Sequence, residues 1–116
     1  MLTIYHNPRC RKSREALELV AASGLPYEVI DYQKKPLNRA TLNNLVKKLG
    51  ISARDLIRSN ESLWKEIYKD QNLNDSDCIA LMLEHPRLME RPILVSGNRA
   101  VICRPPEMCR ELFEAK

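Results

Sequence analysis

The first thirty-one residues constrain the fold of this chain more than any other stretch. Leu2-Thr3-Ile4-Tyr5 alternates among β-favouring types; a helix is then predicted from about Cys10 to Ala22, with Ala16, Leu17, Leu19 and Val20 on its inward stripe and Ser23-Gly24 as its stop; Tyr27 to Asp31 returns to β-favouring types. Strand, crossover helix and strand make a βαβ unit, which implies a parallel strand pair and a right-handed connection. The fold class is therefore α/β.

Lys34-Lys35-Pro36 ends that unit and a helical section follows. Asn38 is placed to cap a helix bearing Leu42, Leu45, Val46 and Leu49, with Gly50 as terminator. Ser52-Ala53-Arg54-Asp55 resembles a capping box and predicts a short helix ending near Arg58. Trp64, Ile67 and Tyr68 suggest a further turn, and Asp75 or Ser76 begins a helix with Ile79, Leu81, Met82 and Leu83 that His85-Pro86 stops. Beyond Pro92 the pattern changes. Ile93 to Ser96, Gly97-Asn98 and Ala100 to Cys103 read as a β-hairpin, and Arg104-Pro105-Pro106-Glu107 opens a last helix. A βαβ unit joined to a hairpin and a closing helix is the thioredoxin-like arrangement: a four-stranded mixed sheet, here as one domain over 1–116 with a helical insertion at about 37–86. The 116 residues suit one domain with a core of its own.

The chemistry centres on Tyr5-His6-Asn7-Pro8-Arg9-Cys10-Arg11-Lys12-Ser13-Arg14. Cys10 stands where a helix begins, so loop amides and the first helical N–H groups favour a thiolate or a bound oxyanion there. Arg9, Arg11, Lys12 and Arg14 crowd around it and no apolar run encloses it, which makes Cys10 the candidate nucleophile. Where a C-x-x-C motif would have its second cysteine, this chain has Ser13; where the C-x5-R loop of cysteine phosphatases would have its arginine, it has Ala16. One thiol thus works alone at this loop, with an external reductant, unless Cys78, Cys103 or Cys109 approaches from elsewhere. Those three cysteines and His85 lack the paired short spacing of structural zinc sites, so no metal is expected and buried apolar thiols are.

No basic region followed by an apolar core opens the sequence, and no apolar run approaches the ~20 residues that span a bilayer, which predicts a cytoplasmic protein with reduced thiols and no membrane partner. The net charge of +4 suits nucleic acid or small anions. Aromatics at 5% leave little for base stacking and the positive residues do not form one long helical stripe, so a small anion is favoured and no nucleic acid partner is expected.

His6 to Arg14, Gly50 to Arg58, Leu88 to Ile93 and Cys103-Arg104-Pro105 together resemble, in order, the blocks of the glutathione- and glutaredoxin-coupled arsenate reductases, over essentially the whole chain. The loop, with Arg11-Lys12 in place of a Gly-Thr pair, is more similar to a short, chromosomally encoded branch of that family. The resemblance implies that Cys10 attacks arsenate, that Arg58, Arg91 and Arg104 surround the oxyanion, and that His6, Asn7 and Ser13 support the loop and the thiolate. It also implies that Pro92 is the proline facing the cysteine in this fold. Glutathione would be a co-substrate rather than a bound cofactor, glutaredoxin the protein partner, and arsenite the product. Arg39, Arg54, Arg87, Arg99 and Arg110 are read as solvated surface charges.

Magnitudes indicate what the arginines are for. Lowering a thiol pKa from ~8.5 by about two units raises the thiolate fraction at neutral pH roughly 25-fold, while a Brønsted slope of ~0.45 gives back roughly eightfold in nucleophilicity. Acidifying Cys10 gains only a few-fold; bringing a thiolate against a charged oxyanion is the larger problem, and guanidinium forks answer it by neutralising and orienting the anion. Two other functions share this sequence pattern: a glutathione-dependent thiol oxidoreductase with another substrate, and an RNA polymerase-binding regulator of the Spx type, whose redox-sensing C-x-x-C the residue Ser13 removes.

Overall fold

A computed structural model describes residues 1–68 and 71–114. The chain forms two compact units, one from residues 1–35 and 91–116 and the other from residues 36–90.

The first unit holds the sheet. Strands β1 (Leu2–His6), β2 (Tyr27–Asp31), β3 (Ile93–Ser96) and β4 (Arg99–Ile102) lie in the order β2-β1-β3-β4. β1 pairs parallel with β2, as the βαβ pattern requires, and antiparallel with β3; β3 and β4 are the expected hairpin. Gly97 turns that hairpin at φ +60°, a conformation in which a side chain would be strained. Helix α1 (Arg11–Ala22) supplies Ala16 and Val20 to a core with Leu2, Ile4, Leu94, Cys103 and Cys109, and Leu17, Leu19, Val101, Leu112 and Phe113 pack against it. Leu2 and Ile4 are two residues apart, so they share a sheet face, and Leu94 opposite Ile4 extends that face. Burial of each large aliphatic side chain contributes on the order of 1.5–3 kcal/mol, which commits this face of the sheet to α1.

The element boundaries shift in three places. β1 runs on to His6, so the turn after it is shorter than expected; Cys10 is the residue before α1 rather than its first turn; β4 spans Arg99–Ile102 instead of Ala100–Cys103. The closing helix is a 3-10 helix, Pro106–Leu112, entered from Pro105, with Met108 N–H donating to the Pro105 carbonyl at 3.0 Å. Pro106 takes the first helical position, where its missing N–H has no intrahelical partner to lose.

The second unit is built on α2 (Arg39–Leu49) and α3 (Asp75–Glu84). Asn38 caps α2 by accepting from the Thr41 N–H at 2.8 Å, and Gly50 closes it at φ +70°, its N–H on the Val46 and Lys47 carbonyls. The cap of α3 is Asn74, one residue before the predicted start. Its side chain accepts from the Asp77 N–H at 2.8 Å while Asp77 accepts from the Asn74 N–H at 3.3 Å, a complete capping box. Ser52 makes only half of the box predicted for it: its hydroxyl accepts from the Asp55 N–H at 3.4 Å, and a single 3-10 turn, Arg54–Leu56, replaces the expected helix to Arg58. Arg54 is also more than the expected solvated charge. Its guanidinium lies over the ring of the buried Trp64, 5.0 Å from the centroid, a cation–π contact.

Candidate active site

The loop from β1 into α1 closes on itself through its own backbone. The Cys10 N–H donates to the Asn7 carbonyl at 3.0 Å, Asn7 Oδ1 accepts from the Arg9 N–H at 3.0 Å, and the Arg14 N–H takes the Cys10 carbonyl at 3.1 Å as the first bond of the helix. Arg14 adds a guanidinium bond to the Pro8 carbonyl at 2.9 Å, so at least one of the basic residues beside Cys10 serves the loop itself. Cys10 has extended backbone angles and sits at the N-cap position, half-buried.

Its sulfur makes no direct capping bond of the Ser or Asp kind, yet the thiolate is favoured. Burial pushes the Cys10 pKa up, and the polar groups around the sulfur outweigh it: the Ser13 backbone, the Arg91 guanidinium, the Lys12 backbone and the Ser13 hydroxyl, leaving the pKa lowered from 9.0 to about 7. Ser13 is fully buried, and its hydroxyl also accepts from the Asn7 N–H at 3.4 Å. One hydroxyl therefore ties the loop backbone to the sulfur, where a C-x-x-C motif would present a thiol. His6 is buried beside this turn, its pKa lowered by burial against the opposing influences of Asp31 and the Ser13 backbone, with Arg14 adding to the lowering; it is neutral at pH 7 and its Nδ1 is buried with no hydrogen-bond partner among the described residues.

Arg91 and Arg104 belong to the same unit as Cys10. Each precedes a proline through a cis peptide bond, Arg91–Pro92 and Arg104–Pro105. The Arg104 guanidinium donates to the Arg91 carbonyl at 3.1 Å, which links the two X-Pro segments, and the Arg91 guanidinium is among the groups that lower the Cys10 pKa. Arg91, which the resemblance assigned to the oxyanion, thus also favours the thiolate. Arg104 is exposed.

Arg58 lies in the second unit. Leu88 and Glu90 hold its chain segment, through Arg58 N–H to Leu88 O at 2.7 Å and Glu90 N–H to Leu56 O at 2.8 Å. Its side chain is only 16% exposed and is paired with Glu61 at 3.2 Å and Glu90 at 3.6 Å. Glu61 also takes Arg87 at 3.4 Å, so Arg87 joins a charge network instead of standing free in solvent. Sequence reading missed both carboxylates. Glu61 at i+3 from Arg58 was a local signal; Glu90 was not, because only the bridge between Ile57 and Met89 brings it alongside.

The other three cysteines are fully buried thiols, and burial pushes each pKa up; for Cys103 the neighbouring Cys109 thiol adds to the rise. They remain protonated at neutral pH and are poor nucleophiles. Among the described residues no three His, Cys, Asp or Glu side chains converge as metal ligands, and no helix is long and apolar enough to cross a membrane.

Comparisons with known proteins agree with this geometry. Residues 5–112 match the model of the ArsC family. Over 111 residues the chain is 48% identical to the uncharacterized protein YfgD of Escherichia coli strain K12, covering 94% of this chain and 93% of that one. An arsenate reductase of Neisseria meningitidis serogroup B is 39% identical over 108 residues, 91% of this chain and 92% of the relative. The solved structure of an arsenate reductase from Vibrio cholerae superposes with a TM-score of 0.90 at 41% identity, covering 96% of each chain. The sheet order, the cysteine loop and these matches make the thioredoxin-like chain a member of the ArsC family.

Proposed function

We propose that the chain reduces arsenate to arsenite, with Cys10 as its one reacting thiol and glutathione and glutaredoxin as the reductants. The observation that carries this reading is the contrast among the thiols: the polar groups around its sulfur bring Cys10 to a pKa of about 7, while burial raises the other three. Membership of a family in which similar proteins are named arsenate reductases supplies the substrate.

In the first step the Cys10 thiolate forms a bond to pentavalent arsenic and water or hydroxide leaves, aided by Arg91, whose guanidinium neutralises the incoming oxyanion at the sulfur. Arg104, which the sequence resemblance assigns to the oxyanion, also positions Arg91 through its carbonyl. In the second step the glutathione thiol attacks the Cys10 sulfur, losing its proton. The electron pair of the sulfur–arsenic bond passes to arsenic, which leaves as trivalent arsenite, and a mixed disulfide remains. A glutaredoxin thiol then takes the glutathione sulfur and frees the Cys10 thiolate.

The test is arsenate-dependent turnover with glutathione and glutaredoxin, comparing wild type, Cys10→Ser and the Cys78/Cys103/Cys109→Ala variant. Turnover is expected in the first and third and lost in the second. Loss in the third, with the fold retained, would show an internal resolving thiol.

A further inference from the structure

The loops that follow β1 and β2 enclose a cavity of about 410 Å³ lined by Asn7, Pro8, Arg9, Asp31, Gln33 and Lys34. β1 and β2 are parallel and in register, with His6 opposite Asp31, so the cavity lies at the carboxyl ends of adjacent parallel strands. The loop that carries Cys10 leaves from the same end of the sheet, and the volume is within the range of small-ligand sites. Three of its walls, Asn7, Pro8 and Arg9, are the residues directly before Cys10.

The walls are held in place. Asp31 Oδ1 accepts from the Gln33 N–H at 3.1 Å and the Lys34 N–H at 3.3 Å, which turns the chain after β2 and leaves Oδ2 for a ligand. Buried Asn7 fixes Arg9 through the Asn7 Oδ1 bond already described. The charged groups are two cations, Arg9 and Lys34, and one carboxylate, Asp31. A γ-glutamyl-cysteinyl-glycine thiol carries the opposite set, two carboxylates and one ammonium.

We propose that this cavity seats the reducing thiol peptide, with Arg9 and Lys34 on its carboxylates and Asp31 on its ammonium, beside the loop that presents Cys10. The inference rests on the glutathione-coupled reading above and adds the place where that thiol binds. The ligand's charge pattern distinguishes it from arsenate, which has no ammonium to offer Asp31 and meets Arg91 at the sulfur.

The test uses the full chain and S-methylglutathione, which cannot react. In an NMR titration the amides of Asn7, Arg9, Gln33 and Lys34 are expected to shift, and Lys34→Glu to raise Kd about tenfold or more. Lys34 is exposed, so this variant should fold. Asp31→Asn is expected to weaken S-methylglutathione but not its N-acetyl derivative, which lacks the ammonium. Shifts confined to other residues, or an unchanged Kd in Lys34→Glu, would overturn the proposal. If the wild type binds the analogue here yet reduces no arsenate, the cavity assignment stands and the arsenate reading fails. Arsenate reduction with the analogue bound elsewhere has the reverse meaning.

Discussion

Cys10 and Cys103 occupy comparable places in the same unit, each directly beyond a sheet strand or its turn, and they have opposite chemistry. Cys10 follows the β1 loop, half-buried, with backbone groups, a hydroxyl and a guanidinium lowering its pKa. Cys103 follows β4, fully buried among Leu2, Ile4, Val20 and Leu94, with its sulfur 3.9 Å from the Val101 carbonyl and another thiol beside it. The difference teaches that burial by itself raises a thiol pKa; only donors aimed at the sulfur reverse the sign.

The comparison breaks most severely if the wrong thiol reacts. Cys10→Ser should lower the arsenate-dependent rate by at least about a thousandfold, since a hydroxyl is a poor substitute for a thiolate nucleophile, whereas the Cys103/Cys109→Ala double variant should retain activity within about threefold. A coupled assay following oxidation of the reductant decides it, and activity in Cys10→Ser would sink the assignment.

Alkylation probes the same contrast without any substrate. Iodoacetamide at pH 7 should modify Cys10 on the order of a thousandfold faster than Cys103 in the folded protein, read by peptide mass spectrometry, and all four cysteines alike once the chain is unfolded. Comparable labelling of both in the folded state would contradict the burial argument.

The pH dependence sharpens the comparison further. Cys10 is an acid whose folded pKa lies below the ordinary 9.0, so its alkylation rate should be half-maximal at about pH 7, level above it, and fall as pH drops through it. Arg91→Ala removes one donor and should move the midpoint upward toward 9.0; a midpoint that stays put would remove Arg91 from the sulfur. Arg91→Lys should recover part of the shift but little of the arsenate affinity, because a point charge does not replace the guanidinium fork.

The smallest effect belongs to Ser13. Ser13→Ala deletes the weakest of the four groups that lower the Cys10 pKa while keeping the Ser13 backbone, so the midpoint should rise by less than in Arg91→Ala. The variant also strips the Asn7 N–H of its acceptor within a buried loop, and should cost roughly 1 kcal/mol of stability in chemical denaturation.

Much of this was legible in the residues, for physical reasons that differ by position. Asn38 and Gly50 bound α2 as expected because caps are local: a side chain reaching three residues ahead, and a backbone conformation that glycine adopts without strain. Asn74-Asp75-Ser76-Asp77 held the same information: α3 begins at Asp75, one of the two starts expected, and the reciprocal box between Asn74 and Asp77 decides between them. Ser52 carried an equally good local signal and produced only a 3-10 turn, since after Leu56 the chain leaves the helix for a bridge with Met89. Arg54 and Arg87 looked like solvent charges because neither Trp64 nor Glu61 is marked in sequence as their neighbour.

The sequence by itself determined the βαβ unit, the hairpin, the cysteine at a helix start and the serine that replaces a second thiol. Each depends on periodicity, backbone chemistry or spacing over a few residues. Only the tertiary structure decided which guanidinium lowers the Cys10 pKa, which carboxylates hold Arg58, that Cys103 and Cys109 share one buried core, and that the loops after β1 and β2 line a charged cavity. Those juxtapositions follow from strand register and from chain segments distant in sequence meeting in space, and no local pattern of residue types encodes them.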